Sequence, residues 1–392
     1  MTEKKGSVNP FVSVILPCYN CEKYIAEALG SLLRQDCTDF EILCIDDGST
    51  DDTWSQLLRF AERAGTLRPE ISLRLFREEN RGVSGARNLG LSLARGKYIL
   101  FLDADDLFED TMISSLVNAA EKYGTDTVFC RLKSVYGGEK RKDRSAVEGR
   151  GEKRKGCDAA EGRREKRKDR GTAEGRREKR KDQVAAEGRE KKNSNHLFSR
   201  EEMMHMLLYG MSSLGFCTFL YRREILSEHG LLFDEKTRFF EDREFNWKYL
   251  VHTKTGSFVD RPLYIYRRTD GSATTSRDVY WNTDGCDAAD RIEQYLLAHG
   301  CAIAREAGEY LRSRVLLSAA KKYAAAKRYD LFFRLSLNYD MKRAMKRNMR
   351  SPGLYARLAS GMYLLSPGGF YFLIGQMDQH RHHERRANGF TS

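Results

Sequence analysis

Short apolar runs alternate with amphipathic segments along the first third of the chain. Five runs have the length of a strand, and they cover residues 11–16, 40–45, 71–76, 98–102 and 127–132. Between them, apolar residues recur at helical spacing over 22–35, 51–64, 84–94 and 109–123. This alternation predicts an α/β, Rossmann-like fold in which a mostly parallel sheet is flanked by helices on both faces.

Polar clusters follow four of the predicted strands. They read Pro17-Cys18-Tyr19-Asn20, Asp46-Asp47-Gly48-Ser49, Asn80-Arg81-Gly82 and Asp103-Ala104-Asp105. The carboxyl ends of parallel strands meet at one edge of a sheet, and ligands bind beyond that edge. A single such cluster is also an ordinary turn that leads into a helix. Four clusters at the same edge favour a binding site.

Asp103 and Asp105 come directly after the buried run at 98–102. Two carboxylates at a strand end can hold Mg²⁺ or Mn²⁺ against a diphosphate, because these ions prefer oxygen ligands and share their coordination with substrate phosphates. The alternative is an acidic turn that caps the next helix. The pair therefore makes a nucleotide diphosphate the first substrate hypothesis.

The other clusters suit the rest of a nucleotide. Asp46 or Asp47 can accept the imide N–H of a uracil ring, and Tyr19 can line the base or stack on it. Gly82 permits a close approach of the backbone to phosphate, and Arg87 can place a fixed cation beside an anionic donor. The alternative for the Asp46 cluster is a turn from strand to helix, and one loop can serve both purposes.

Positive charge is concentrated in one segment. The chain has 68 lysines and arginines against 56 aspartates and glutamates, a net charge of +12. Residues 139–192 contain 22 of the lysines and arginines and 13 of the aspartates and glutamates. This segment therefore carries a net charge of +9, and the rest of the chain carries +3. E-K-R-K begins at 139, 152, 165 and 178, which defines a repeat of 13 residues with almost no apolar side chains. We expect a disordered spacer, with a polybasic patch for anionic lipid or RNA as the alternative, and no specific nucleic acid partner.

The last part of the chain, 276–392, has a helical pattern. A basic stretch at 342–350 precedes the aromatic residues Tyr363 and Phe370 to Phe372. Basic residues beside exposed aromatics suit peripheral contact with a membrane surface. The alternatives are a helical cap on the preceding domain or a dimer surface. The first residues lack an apolar signal segment, so we expect the protein in the cytoplasm, with peripheral attachment to the cytoplasmic face of the membrane as the alternative to a freely diffusing protein.

Four motifs resemble the successive signatures of family-2 inverting glycosyltransferases. They are V-S-V-I-L-P-C-Y-N at 12–20, I-D-D-G-S-T-D at 45–51, N-R-G-V-S-G-A-R-N-L-G at 80–90 and F-L-D-A-D-D at 101–106. The resemblance covers about 8–275, interrupted by the repeats. It implies a GT-A fold, a nucleotide-sugar donor that is commonly UDP-linked, and a Mn²⁺ or Mg²⁺ ion held by Asp103 and Asp105. The residues that it assigns to donor binding are Pro17, Tyr19, Asn20, Asp46 or Asp47, Arg87 and Asp103.

The catalytic base must lie elsewhere, because carboxylates bound to a metal are poor proton acceptors. Glu241 and Asp242 precede a predicted helix and resemble the E-D motif of this family, whose Asp is the base. The alternative is that both residues only favour the positive end of that helix. Arg267 and Arg268 either contact the departing diphosphate or are solvated charges at a strand end.

We therefore expect a hexosyltransferase that moves one sugar, with inversion, to a glycan or lipid-linked glycan acceptor in surface polysaccharide synthesis. Its predicted parts are a nucleotide-sugar half at 8–138, the repeats at 139–192, an acceptor half at 193–275 and the helical region after 276. A sugar nucleotidyltransferase is a second hypothesis, although Pro17-Cys18-Tyr19-Asn20 stands where its Gly-rich activation loop would be. A non-catalytic basic adaptor with a degenerate transferase core is the third.

Overall fold

A computed structural model of the protein describes residues 9–136, 197–210, 215–268 and 283–387. The basic repeats at 139–192 lie outside the described residues, and so does the prediction made for them.

The first described range consists of strands and helices in alternation, close to the predicted bounds. The strands are β1 (Val12–Cys18), β2 (Phe40–Asp46), β3 (Ser72–Arg77), β4 (Tyr98–Phe101), β5 (Leu107–Phe108) and β6 (Thr127–Tyr136). The helices are α1 (Ile25–Leu33), α2 (Thr53–Leu67), α3 (Gly82–Leu93) and α4 (Met112–Tyr123). The two-residue strand β5 has no counterpart in the prediction, since two residues are too few to show a period.

The following ranges complete the sheet and add a helical region. The strands are β7 (Leu197–Ser199), β8 (Phe219–Arg222) and β9 (Thr255–Arg268). The helices are α5 (Arg200–His205), α6 (Arg223–Glu228), α7 (Glu241–Val251), α8 (Asp284–Ala298), α9 (Ala304–Ala325), α10 (Tyr329–Asn338), α11 (Met341–Asn348), α12 (Leu354–Leu365) and α13 (Pro367–Ala387). A π-helical turn, Met206–Gly210, follows α5, and a 3₁₀ turn, Phe216–Thr218, precedes β8.

In the described part of the chain, nine strands form one sheet in the order β3-β2-β1-β4-β8-β6-β9-β5, and β7 pairs with β9. The strands β1 to β4 are parallel. Beyond β4, strand β8 is antiparallel to both of its neighbours, while β9 is parallel to β6 and antiparallel to β5 and β7. The parallel sheet predicted from the sequence thus occupies one half, and the whole sheet is mixed.

Close packing fixes α3 on the sheet. Every residue of β1 is buried, and Gly90 of α3 lies against Ile15 of that strand. A Cβ atom at Gly90 would come within 2.4 Å of the Ile15 side chain, so any larger residue would push α3 away from β1. This contact fixes the distance between α3 and the sheet, and it thereby positions Arg87, which lies one helical turn before Gly90.

The C-terminal helices form a second hydrophobic core. Val315, Tyr323, Phe332, Tyr363 and Phe370 belong to one buried cluster that α9 shares with the helices after it. The predicted helical region is therefore present over its described part. Within the described ranges, no helix is both long and apolar enough to cross a bilayer.

Three histidines meet where three helices end. His229, His252 and His299 are the C-cap residues of α6, α7 and α8. The rings of His229 and His252 are stacked with their centroids 3.6 Å apart, and His299 meets His252 edge-on at 5.2 Å. Burial lowers the pKa of His252 to about 4, helped by the positive charge of its histidine neighbours and of Arg200. Between the folded pKa of about 4 and the ordinary value of 6.5, His252 is therefore mostly neutral in the folded protein and mostly protonated in the unfolded chain.

We expect the free energy of unfolding to fall as the pH is lowered from 7 to 5, because His252 takes up a proton more readily in the unfolded chain. The contribution of His252 is about 1 kcal/mol, since solvent screens this half-buried ring and reduces the effect of the pKa shift. Between the ordinary histidine pKa and the folded value, the unfolded state binds the proton and is favoured. His252→Gln keeps a partner for the Tyr295 hydroxyl and should reduce this loss in urea unfolding at the two pH values. His205→Gln, on the exposed side of α5, is the control; an equal effect of both changes would contradict the assignment.

Candidate active site

The polar edge of the sheet lies where the strand order reverses. From β1 the chain moves to β2 and β3 on one side, and β4 then lies on the other side of β1. Side chains that follow β1 and β4 therefore line a crevice at the carboxyl ends of these strands, the usual ligand position in such sheets. Tyr19 and Asn20 follow β1, and Asp103 and Asp105 follow β4. The structure thus brings the predicted clusters together at one edge.

Asn20 joins the loops that follow β1 and β2. Its backbone is left-handed, with φ 46°, and its side-chain oxygen accepts a hydrogen bond from the Thr50 N–H at 2.8 Å. The Asn20 N–H donates to the Ser49 hydroxyl at 3.0 Å. Asparagine tolerates this conformation better than most residues do. With the loop fixed, the neighbouring Tyr19 ring remains 52% exposed, so one aromatic face is accessible at the crevice.

Asp46 and Asp47 are both buried and already engaged. One Asp46 oxygen accepts from the Ser49 N–H at 3.3 Å, and the other is 3.0 Å from the Arg77 Nε. Asp47 accepts from the Arg81 N–H at 2.7 Å at the start of α3, and burial raises the pKa of its carboxyl group. The turn between them depends on Gly48, since a Cβ there would lie 3.0 Å from the Asn80 nitrogen and φ is +71°. Both carboxyl groups therefore shape the floor of the crevice.

A buried arginine joins two of the predicted motifs. The Arg87 side chain is only 5% exposed, and its guanidinium is 2.9 Å from the Asp103 carboxylate and 3.1 Å from that of Glu241. Arg87 and Glu241 are separated by 154 positions along the chain. The guanidinium also lies over the rings of Phe216 at 4.3 Å and Phe233 at 5.2 Å. The start of α7 is thereby held beside the Asp103 turn.

Charge stabilises this arrangement. Burial alone would lower the pKa of Arg87, but the negative charges of Asp103, Glu241 and Asp242 raise it above its ordinary value. The guanidinium therefore stays protonated, and it is the shared counterion of the cluster. The Glu241 side chain is only 14% exposed, and its partial burial together with the charge of Asp242 raises its pKa.

Asp242 lies in the first turn of α7. The preceding residue, Phe240, has φ 83°, which is costly for a large side chain and is kept here beside predicted catalytic groups. One Asp242 oxygen accepts from the Arg243 N–H at 2.7 Å, and the side chain is half-buried. Unlike Glu241, Asp242 makes no ion pair with Arg87. Its position beside the cluster is compatible with the predicted role as a base, which stays a prediction.

The turn after β4 gathers three carboxyl groups. Asp103 and Asp105 are half-buried, and Asp106 is fully buried, where it accepts hydrogen bonds at 2.7 Å from the Tyr264 hydroxyl and from the Arg267 N–H. Burial, with the charges of Asp103 and Asp105, raises the pKa of Asp106 to about 8. Three neighbouring carboxyl groups at one turn suit a divalent cation.

Among the described residues, no group of three or more His, Cys, Asp or Glu side chains is arranged to hold a metal ion. The carboxylates of Asp103 and Asp105 fit an ion that takes its remaining ligands from a substrate diphosphate and water. That is the arrangement the sequence predicts, and the assignment stays a prediction.

The predicted diphosphate contacts lie at the end of β9. Arg267 is largely buried, with its guanidinium 2.8 Å from Glu27 and 5.4 Å from the centre of the Tyr24 ring. Its backbone is bound by Asp106, so it lies beside the Asp103 turn. Arg268 is the next residue and is exposed.

Sequence reasoning missed the residues that hold the segment before α7. The Asn88 side chain makes two hydrogen bonds to the Phe233 backbone, donating at 2.9 Å and accepting at 2.8 Å. Glu235 pairs with Arg81 at 2.7 Å. These contacts join α3 to a loop that is distant in sequence, and nothing local in either segment identifies its partner.

The mixed sheet with helices on its faces is a fold of the GT-A type. The sequence model described as Glycosyl transferase family 2 matches residues 13–230, more than half of the 392 residues. The chain therefore belongs to glycosyl transferase family 2, as its motifs predicted.

Several relatives share parts of the sequence. The uncharacterized glycosyltransferase EpsJ of Bacillus subtilis is 30% identical over 268 residues, 68% of this chain and 63% of EpsJ. An uncharacterized glycosyltransferase of Rickettsia felis is 47% identical over 97 residues, 25% of this chain and 15% of that protein. The poly(ribitol-phosphate) beta-N-acetylglucosaminyltransferase TarS of Staphylococcus aureus is 36% identical over 129 residues, 32% of this chain and 21% of TarS. The chain thus spans less than two thirds of the length of each of these relatives.

Solved structures of S. aureus TarS have a similar fold. TarS 1–349 in complex with UDP-GlcNAc has a TM-score of 0.53 at 19% identity, covering 94% of this chain and 91% of that one. Its complex with UDP has a TM-score of 0.52 at 18% identity, covering 91% of both chains. At such identity the likeness shows the fold alone, and it confirms the GT-A prediction.

Proposed function

We propose that the protein transfers one sugar residue, with inversion, from a UDP-sugar to a glycan or lipid-linked glycan acceptor in surface polysaccharide synthesis. The observation that carries the proposal is the double ion pair of Arg87. It brings Asp103, on the donor side, and the Glu241-Asp242 pair, on the acceptor side, to the same sheet edge. The UDP and UDP-GlcNAc complexes of TarS support a uridine donor.

The donor would occupy the crevice between β1 and β4. The exposed Tyr19 ring can stack on the uracil, and Asp46 or Asp47 can bind its imide N–H. Asp103 and Asp105 would hold Mn²⁺ or Mg²⁺ beside the diphosphate. When bound, this ion would supply positive charge where the leaving group becomes more negative. In this proposal Arg87 acts through the carboxylates that it orients, because both of its terminal nitrogens are engaged by them.

The reaction is a single displacement. The Asp242 carboxylate accepts the proton of the acceptor hydroxyl as the hydroxyl oxygen forms its bond to the anomeric carbon. The bond from that carbon to the diphosphate oxygen breaks on the opposite face, and the electron pair leaves with UDP. Attack from the face opposite the leaving group inverts the anomeric configuration.

Arg267 and Arg268 can stabilise the departing UDP. The Glu27 carboxylate that pairs with Arg267 is 67% exposed, so exchange of this partner for a phosphate oxygen loses little energy. We propose that Arg267 exchanges Glu27 for the diphosphate when the donor binds, and that Arg268 adds a second cation beside it.

UDP release tests the donor and the ion together. We expect hydrolysis of one member of a panel of UDP-glucose, UDP-galactose, UDP-GlcNAc and UDP-GalNAc. Chelation should lower the rate by about tenfold or more, and Mn²⁺ or Mg²⁺ should restore it. Asp103→Ala should abolish the restoration, whereas Asp36→Asn, an exposed carboxylate bound to Ser114, should leave it intact. Full activity in chelator would refute the metal assignment, and inactivity with every UDP-sugar would refute the donor.

A further inference from the structure

Helix α12 presents an apolar face to solvent. Leu354 and Leu358 are each 62% exposed, and Leu365 is 90% exposed. Spacings of four and seven residues place the three side chains on one side of a helix. Met349, which is 43% exposed, extends this face, because its sulfur would lie 3.6 Å from a Cβ atom at Gly361. Contiguous exposed apolar residues of this kind mark an interaction surface.

The chain segment that carries the apolar face is basic. From α11 to the end of α12, residues 341–365, the chain has six lysines and arginines and no aspartate or glutamate. They are Lys342, Arg343, Lys346, Arg347, Arg350 and Arg357. An apolar face on a segment whose own charges are all positive fits a surface that is apolar within and negatively charged at its rim, which describes an anionic lipid bilayer.

An open cleft lies next to this face. It has a volume of about 640 Å³ and is lined by Tyr209, Arg305, Glu306, Glu309, Arg347, Arg350 and Pro352. Pro352 precedes Leu354 by two residues, so the cleft adjoins the N-terminal end of the apolar face.

Both glutamates of the cleft are neutralised by other residues. Glu306 accepts from Arg347 at 3.2 Å and from the Tyr209 hydroxyl. Glu309 is paired with Arg343. Arg347 is fixed in turn between the rings of Tyr209 and Tyr310, at 5.9 Å and 5.2 Å.

Two cations of the cleft remain for a ligand. Within the described ranges, neither Arg305 nor Arg350 pairs with a carboxylate, and both are exposed. Paired guanidinium groups favour phosphate oxygens, which they bind in a fixed, forked geometry. The cleft therefore suits a phosphate group.

We propose that this surface, formed by the α12 apolar face and the adjoining cleft, binds a membrane with anionic phospholipids. Leu354, Leu358 and Leu365 enter the bilayer interface, and Arg305 and Arg350 bind a lipid phosphate. The inference deepens the proposed function, because a lipid-linked acceptor would be presented at such a membrane. It rests on that function only for its biological purpose, since the tests below contain no donor and succeed or fail independently of sugar transfer.

Depth-dependent quenching locates the apolar contact. The Leu358→Trp variant of the full chain is mixed with vesicles of brominated phosphatidylcholine and phosphatidylglycerol, in which the bromine atoms quench tryptophan. Its tryptophan fluorescence should fall by more than the fluorescence of the unmodified protein does. Leu67→Trp is a matched control on α2, where Leu67 is 63% exposed, and it should show no such excess. Equal quenching in both variants, or none in either, would overturn the proposal. A dimer that protects position 358 in solution and persists with vesicles would overturn it too.

Flotation tests the cleft. Binding to phosphatidylcholine vesicles that contain phosphatidylglycerol should fall by about tenfold or more when Arg305→Glu and Arg350→Glu are combined. The charge-matched pair Arg59→Glu and Arg63→Glu, on α2, should change binding by less than about twofold. If both pairs reduce binding equally, or neither does, the binding belongs to another basic segment such as the repeats, and the proposed surface is refuted.

Discussion

Replacing Asp242 by asparagine is expected to lower the rate of UDP release from the donor by about 100-fold or more, the usual contribution of a general base. Asparagine has the same shape and can still accept the Arg243 N–H bond made by Asp242. It cannot take a proton from the attacking hydroxyl, so only the chemical step should suffer. The measurement is the initial rate of UDP release at saturating donor.

Asp330→Asn is the matched control for this change. Asp330 lies in the first turn of α10 and pairs with Arg328 on the surface of the C-terminal region. The same loss of one carboxylate there should leave UDP release within about twofold. If Asp242→Asn also stays within twofold, the base must be another group, and the partly buried Glu241 would be the next candidate.

Replacing Arg87 by methionine is expected to remove activity and to destabilise the protein by about 3 kcal/mol or more. Methionine fills the space between Phe216 and Phe233 but leaves the Asp103 and Glu241 carboxylates together without their counterion. Breaking a buried ion pair by deleting one partner costs this much, because the remaining charge has no compensation. Urea unfolding and UDP titration measure the two effects. Arg59→Met, at an exposed ion pair with Asp52, should change stability by less than about 0.5 kcal/mol.

Arg87→Lys separates charge from geometry. Lysine keeps the positive charge but cannot present two nitrogens to two carboxylates in a fixed plane. We expect most of the stability to return, while the activity stays low because Asp103 and Glu241 are no longer held together. Full activity in the lysine variant would show that charge alone is sufficient. An unchanged stability in the methionine variant would contradict the role of Arg87 as the shared counterion.

The local pattern of apolar and polar residues was enough to predict the sheet edge at which the proposed donor site lies. The apolar runs that became β1, β2 and β4 are each followed by short polar clusters, and parallel strands necessarily bring such clusters together. Tyr19, Asn20, Asp103 and Asp105 therefore lie where the sequence predicts. Helices α2 and α4 likewise differ from prediction only by a few terminal residues, where helix ends depend on local capping.

Contacts between segments that are distant in sequence could not be predicted from the local pattern of residues. Arg87 looked like a cation available to the donor, but folding pairs it with Asp103 and with a glutamate 154 positions away. Asp106 is only the last letter of the F-L-D-A-D-D motif in the sequence, and its burial and its hydrogen bond with Tyr264 become visible only when β9 pairs with β5. The antiparallel strand β8, which makes the sheet mixed, is short and could not reveal its direction from four residues.

The most direct test of the central claim, that the Asp103 edge binds the donor while Asp242 takes the proton, is a paired measurement on Asp242→Asn protein. UDP affinity by titration calorimetry and UDP release from the preferred donor are measured on the same preparation. The account predicts a UDP dissociation constant within about twofold of the unmodified protein and a release rate lower by about 100-fold. A release rate that is unchanged, or that falls only in proportion to lost UDP binding, would contradict it.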